Sequence, residues 1–199
     1  VPVKYADGDS VTVTLPEGVK YIGFTINSKK GESIIYCPDG AFTYRISNIS
    51  NSVTTMSKSY ANTANYVTVR ILTEEELADK RNLAENSYDY NANAGSATKA
   101  YPHVTASTEC RNEVQYFALN AIDGFTNNAS HGSYPVQSWG PENIANQWFE
   151  VKFGRTVNAE ELGIVIRYDV GHDTWFKTAT VEVTYKDGTT SRQDITIKW

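Results

Sequence analysis

The chain has 199 residues, a formal net charge of −5 and 13 tyrosines, against a single methionine. That length allows one large domain or two small ones, and mild acidity without a basic cluster excludes nucleic acid as a main partner. Abundant Tyr, Thr, Asn, Ser and Gly favour short strands and polar turns over helix bundles, and no apolar run approaches the ~20 residues that span a bilayer.

In chain order, Val11-Thr12-Val13-Thr14-Leu15 alternates and stops at Pro16-Glu17-Gly18, which predicts a strand and a turn. Tyr21 to Ile26, Ser33 to Cys37 and Ala41 to Ile46 predict three more strands, with Pro38-Asp39-Gly40 stopping the one that ends at Cys37. Residues 47–65 read as a polar loop, and Tyr66 to Ile71 as a fifth strand. Together, residues 1–72 are expected to form a small all-β domain.

Thr73-Glu74-Glu75-Glu76 has the spacing of a capping box, and Lys80-Arg81 suit the negative end of a helix dipole. A helical linker over 73–81 is expected. Residues 82–100 show almost no periodicity and read as an irregular arm. Tyr116 to Ile122 reads as a short apolar turn. Trp148 to Phe153 alternates, with Phe149, Val151 and Phe153 on one side; Trp148 is nevertheless expected in the core. Leu162 to Tyr168 is β-branched and expected as a strand buried on both faces. Ala179 to Tyr185 and Ser191 to Ile197 predict a hairpin turning at Asp187-Gly188.

The chain begins without Met, in what reads as a strand, and shows no signal peptide, so a piece of a longer protein is expected. Cys37 and Cys110 are expected to be free, partly buried thiols; a bridge between the two halves is the alternative in a secreted protein.

From residue 82 onward the chain carries an ordered set of marks: Asn82-Leu83-Ala84, Val104-Thr105-Ala106-Ser107, Asn120-Ala121-Ile122-Asp123-Gly124, Ser138-Trp139-Gly140, Gln147 to Gly154, and a run ending in Arg167. In this order, residues 82–199 resemble the discoidin-like, galactose-binding domains of coagulation-factor C-terminal type and family 32 carbohydrate-binding modules. The resemblance implies a jelly-roll β-sandwich that binds glycan without catalysis, within an extracellular or cell-surface protein. It also implies a structural calcium ion in the Ile122-Asp123-Gly124 loop, held by Asp123 and, close by, Asn128. Lys152 stands where the family commonly has Asp, and the family's C-terminal acidic calcium ligand has no clear counterpart.

Sugar recognition needs aromatic faces for C–H surfaces and planar polar groups for paired hydroxyls. Tyr134, Trp139 and Trp175 can supply the first; His131, Arg167, Asp169, His172 and Asp173 can supply the second. Duller readings stand beside these. Trp139 can be structural, Arg167 with Asp169 or Asp173 can be an anchoring ion pair, and each histidine can bind only a backbone carbonyl.

Transition-metal binding lacks His-x-Glu-x-x-His or Cys-x-x-Cys spacing. Catalysis lacks Gly-x-Ser-x-Gly and a phosphate loop, and a glycosidase pair such as Asp169 with Glu142 or Asp173 lacks a groove. The expectation is therefore a non-enzymatic glycan or polysaccharide binder, working with other domains of a larger chain. A protein-interaction or purely structural accessory domain is the alternative. Polar loop tips disfavour a membrane surface.

Overall fold

The computed structural model describes residues 2–6, 8–27, 30–46, 65–90, 99–126, 138–166 and 176–197. The chain divides into two compact units, Val1–Gly154 and Arg155–Trp199. Among the described residues the protein is mostly antiparallel strand with little helix.

In the first unit, β1 (Pro2–Val3) pairs with β6 (Asn65–Tyr66), and β2 (Ser10–Thr14) pairs with β5 (Ala41–Arg45). β3 (Tyr21–Thr25) lies between β4 (Ser33–Tyr36) and β7 (Thr68–Ile71). The expected fifth strand is thus split at Val67, its first part joining β1 and its second β3. β8 (His103–Ala106) pairs with β9 (Phe149–Lys152). A bridge between Tyr36 and Tyr101 ties β4 to the residues leading into β8.

Alternation explains which faces are covered. Ile22 and Phe24 of β3, Ile35 of β4, and Phe42 and Tyr44 of β5 are buried. Phe24 meets Phe42 edge-on with ring centroids 4.9 Å apart, a favoured aromatic geometry.

The helix α1 (Glu74–Ala78) starts with the expected capping box: Thr73 Oγ1 accepts from Glu76 N at 3.2 Å, and Glu76 Oε2 accepts from Thr73 N at 2.8 Å. It ends sooner than the 73–81 span suggested. Arg81 folds back and donates to the Leu77 carbonyl at 2.7 Å, satisfying a terminal acceptor.

The expected partition into 1–72, a linker 73–81 and 82–199 differs from the observed one. Residues on both sides of α1 share one core, in which Phe24, Phe42 and Tyr44 belong with Tyr88, Val104, Phe117 and Ile122. The arm over 82–90 is irregular, as expected, yet Asn86 to Asp89 are buried. Cys37 and Cys110 are free; Cys37 is buried, which pushes its thiol up to about 12.

The second unit contains the hairpin β10 (Thr178–Thr184) and β11 (Thr190–Thr196). Asp187 Oδ1 accepts from Thr189 N at 2.9 Å, and Gly188 takes φ +83°, a region open to a residue without Cβ. Within 162–166 there is no strand, and Leu162, Ile164 and Val165 are exposed. The doubly buried strand expected there is therefore corrected over its described part. A β-branched run states that a segment suits a sheet, but only a neighbouring strand can give it a ladder.

Candidate functional site

The described parts of the site grow from the segment Asn86 to Asp89, which joins several elements of the first unit. Asn86 Nδ2 donates to Pro102 O at 2.8 Å, and Asn86 N donates to Ile122 O at 2.6 Å. Ser87 N donates to Ser33 Oγ at 2.9 Å, and Ser87 Oγ donates to Asp123 O at 2.6 Å. Lys30 Nζ donates to Ser87 O at 2.8 Å. One short stretch thereby fastens the β3–β4 connection to the Asp123 loop.

Asp89 is buried beside His103, with Oδ1 2.8 Å from the imidazole Nδ1, while Oδ2 accepts from Val104 N at 3.0 Å. Burial pushes the Asp89 carboxyl up, and the imidazole and main-chain donors pull it back. Tyr90 stacks on the imidazole, centroids 4.3 Å apart and planes 1° from parallel. No sequence motif marks this pair: Asp89 lies in an aperiodic arm, and no standard spacing joins it to His103.

Asp123 is also buried. Its Oδ1 accepts from Phe125 N at 2.9 Å, forming a local turn. Gly124 takes φ +85°, and the Glu85 carboxylate lies against it, Cδ 3.1 Å from where a Cβ would stand. Asp123, Glu85 and the loop carbonyls are hard oxygen donors of the kind calcium takes, though calcium needs roughly six to eight oxygens. Among the described residues there is no group of three or more His, Cys, Asp and Glu arranged for a metal. Asn128, the other expected calcium residue, lies outside the described residues.

Burial raises the Asp123 carboxyl to about 7; the Phe125 N–H and the Lys30 ammonium oppose the shift, and Glu85 adds to it. The unfolded value is about 4, so this group's contribution is fully present below pH ~4 and is lost as pH rises through about 7. The loss is up to about 4 kcal/mol. Asp123→Asn is expected to flatten the fall in melting temperature between pH 4 and 8. If the loop holds calcium, millimolar calcium should raise the melting temperature more at pH 8 than at pH 5, because the ion favours the ionised carboxylate. A melting temperature unmoved by calcium at both pH values removes the ion.

Trp139 is half-buried. Its indole N–H donates to Thr108 O at 2.9 Å, and its ring packs 5.2 Å from Phe149. Gly140 N donates to Tyr116 O at 3.0 Å, and the Tyr116 ring fills the space a Cβ would need at Gly140. Trp139-Gly140 is thus pinned to the 108–116 segment.

Trp148, expected in the core, is 53% exposed. The register of β9 turns Phe149 and Val151 inward, so Trp148 points the other way. Its N–H donates to Ser107 Oγ at 3.0 Å, and Ser107 N donates to Trp148 O at 2.9 Å. His131, Tyr134, Arg167, Asp169, His172, Asp173 and Trp175 all lie outside the described residues. Of the expected sugar-binding set, Trp139 alone is placed.

These features define, at the level of class, an antiparallel all-β protein whose described polar centre is a buried hydrogen-bonded junction. Compared with known proteins, the chain matches no family model, no curated protein and no solved structure.

Proposed function

We propose that the protein is a non-catalytic carbohydrate-binding module. Residues 82–199 are read as a discoidin-like jelly roll that binds glycan through loops at one end. Trp175 and Tyr134 stack on the sugar, and Arg167, Asp169, His172, Asp173 and His131 bond its hydroxyls; Trp139 carries the loop or joins the contact. A structural calcium at Asp123 and Asn128, an extracellular setting and other domains in a longer chain belong to the same reading. Such shallow sites gain avidity when several are linked.

One observation carries the reading. Two of the marks behind the resemblance are neighbours in space: Val104-Thr105-Ala106 pairs antiparallel with Phe149-Glu150-Val151. Their side-by-side pairing is what a shared β fold requires of motifs so distant in sequence.

A glycan array probed with the folded full chain, with calcium present, tests the function. Binding is expected, with Trp175→Ala and Arg167→Ala each abolishing it and leaving the melting temperature nearly unchanged. A blank array rejects glycan binding through these loops. Variants that unfold would instead place Trp175 and Arg167 in structural roles, as in an accessory domain.

A further inference from the structure

The sheet built around β3 has a second face, turned from the core, and it carries a row of tyrosines. Tyr21 stands directly opposite Tyr36 in the β3–β4 register. Tyr36 exchanges main-chain hydrogen bonds with Tyr101, Tyr36 N to Tyr101 O at 2.8 Å and Tyr101 N to Tyr36 O at 3.0 Å. Directly opposed residues project to the same side of a sheet. Ile22, Ile35 and Cys37 alternate with these tyrosines and are buried, whereas Tyr21, Tyr36 and Tyr101 are each only partly covered. Ring centroids follow at 5.0 Å from Tyr21 to Tyr36 and 6.3 Å from Tyr36 to Tyr101.

Gly154 extends the row. It has φ +67°, and a Cβ there would stand 2.2 Å from Tyr101 Cδ2, so the Tyr101 ring lies across the Gly154 main chain. The missing side chain lets an aromatic ring lie along the sheet. With strands ~4.8 Å apart, the row spans roughly 10 Å, the length of about two sugar rings.

The row itself bears phenols and no charge. Polar groups of both signs adjoin it. Lys20 Nζ donates to Pro38 O at 2.5 Å, and Lys99 pairs with Asp39 at 3.7 Å, both side chains well exposed. Farther along β3, Arg70 is gripped by Glu32 at 2.7 Å and Glu76 at 2.6 Å, with Glu32 lying over Gly23. An uncharged aromatic floor flanked by balanced hydrogen-bonding groups complements an uncharged, hydroxyl-rich ligand and offers no net charge to an acidic or basic one.

We propose that the Tyr21–Tyr36–Tyr101 row is a second carbohydrate subsite that takes a neutral polysaccharide chain along the sheet face. It rests on the glycan reading for its ligand class alone.

The test is affinity electrophoresis of the full chain through gels containing uncharged β-glucan, xylan or galactan, with a glycosaminoglycan gel as the charged control. Retardation by an uncharged polymer is expected. Tyr36→Ser or Tyr101→Ser should weaken it about tenfold at unchanged melting temperature, and Trp175→Ala should leave it in place. Retardation untouched by the tyrosine variants but lost in Trp175→Ala overturns the subsite while the loop reading stands. Retardation lost in the tyrosine variants, with a blank glycan array, supports the subsite while the loop reading falls. No retardation in any uncharged gel, or stronger retardation by the glycosaminoglycan, overturns the subsite.

Tyrosine nitration of the unaltered protein does not depend on how the variants fold. Saturating uncharged polymer should protect Tyr21, Tyr36 and Tyr101, and an unchanged nitration pattern overturns the proposal.

Discussion

Tyr88→Ala is expected to destabilise the first unit by about 4 kcal/mol, the scale of deleting a large buried aromatic. Tyr88 is 1% exposed and meets Phe24 and Tyr44 edge-on, with centroids 5.1 and 5.6 Å away. Its hydroxyl donates to Gly31 O at 2.6 Å and accepts from Ile26 N at 3.3 Å, and the Lys30 ammonium lies 5.6 Å above the ring. Burial pushes the phenol up, so it stays protonated and keeps donating. Tyr88→Phe keeps the ring and removes only these bonds, so a loss of about 1–3 kcal/mol is expected. Urea unfolding of both variants measures the difference. Equal losses would mean that the ring contributes little.

The same contacts bear on where the chain can be cut. Tyr88 lies after position 82, while Phe24, Tyr44, Gly31 and Ile26 all lie before it. A fragment of residues 82–199 is therefore expected to melt at lower temperature and less cooperatively than the full chain. A fragment with the full chain's melting temperature would contradict the shared core.

Asp89→Ala is expected to cost about 2–6 kcal/mol, from stranding two buried hydrogen-bonding groups at about 1–3 kcal/mol each. The substitution strands the Val104 N–H and leaves His103 Nδ1 without its carboxylate in a buried place. Asp89→Asn keeps the volume and one acceptor, so it is expected to lie between wild type and alanine. Thermal melts at fixed pH provide the check, and an alanine variant within about 1 kcal/mol of wild type would show that the site relaxes.

Much of the local structure was legible in the residue order. Alternation in Val11 to Leu15 and in Ala179 to Tyr185 predicted strands that form within a residue or two of the expected ends. The capping box at Thr73 and the Asp187-Gly188 turn formed as their residues predict, because both are closed by bonds between near neighbours. Trp148 shows the limit of such reading. Its large apolar ring suggested burial, but the register with β8 turned Phe149 and Val151 inward instead.

The candidate site was legible as types of residue and not as a place. His131, Tyr134 and the 167–175 residues lie outside the described residues, and Trp139 could be read either as a platform or as an anchor until its bond to Thr108 O was seen. The Asp89–His103 pair and the Lys30–Ser87–Asp123 connection carry no spacing signal, since each joins separate segments of the chain.

By itself the sequence determined strand periodicity, caps, turns and an all-β character, since each depends on side chains a few positions apart. The tertiary structure alone decided that 1–46 and 88–122 share a core, that the chain divides after Gly154, and that three distant tyrosines stand in one row. Those outcomes depend on which strand lies beside which. Pairing across tens of residues is chosen by the burial and hydrogen bonding of the whole fold, and no local pattern encodes it.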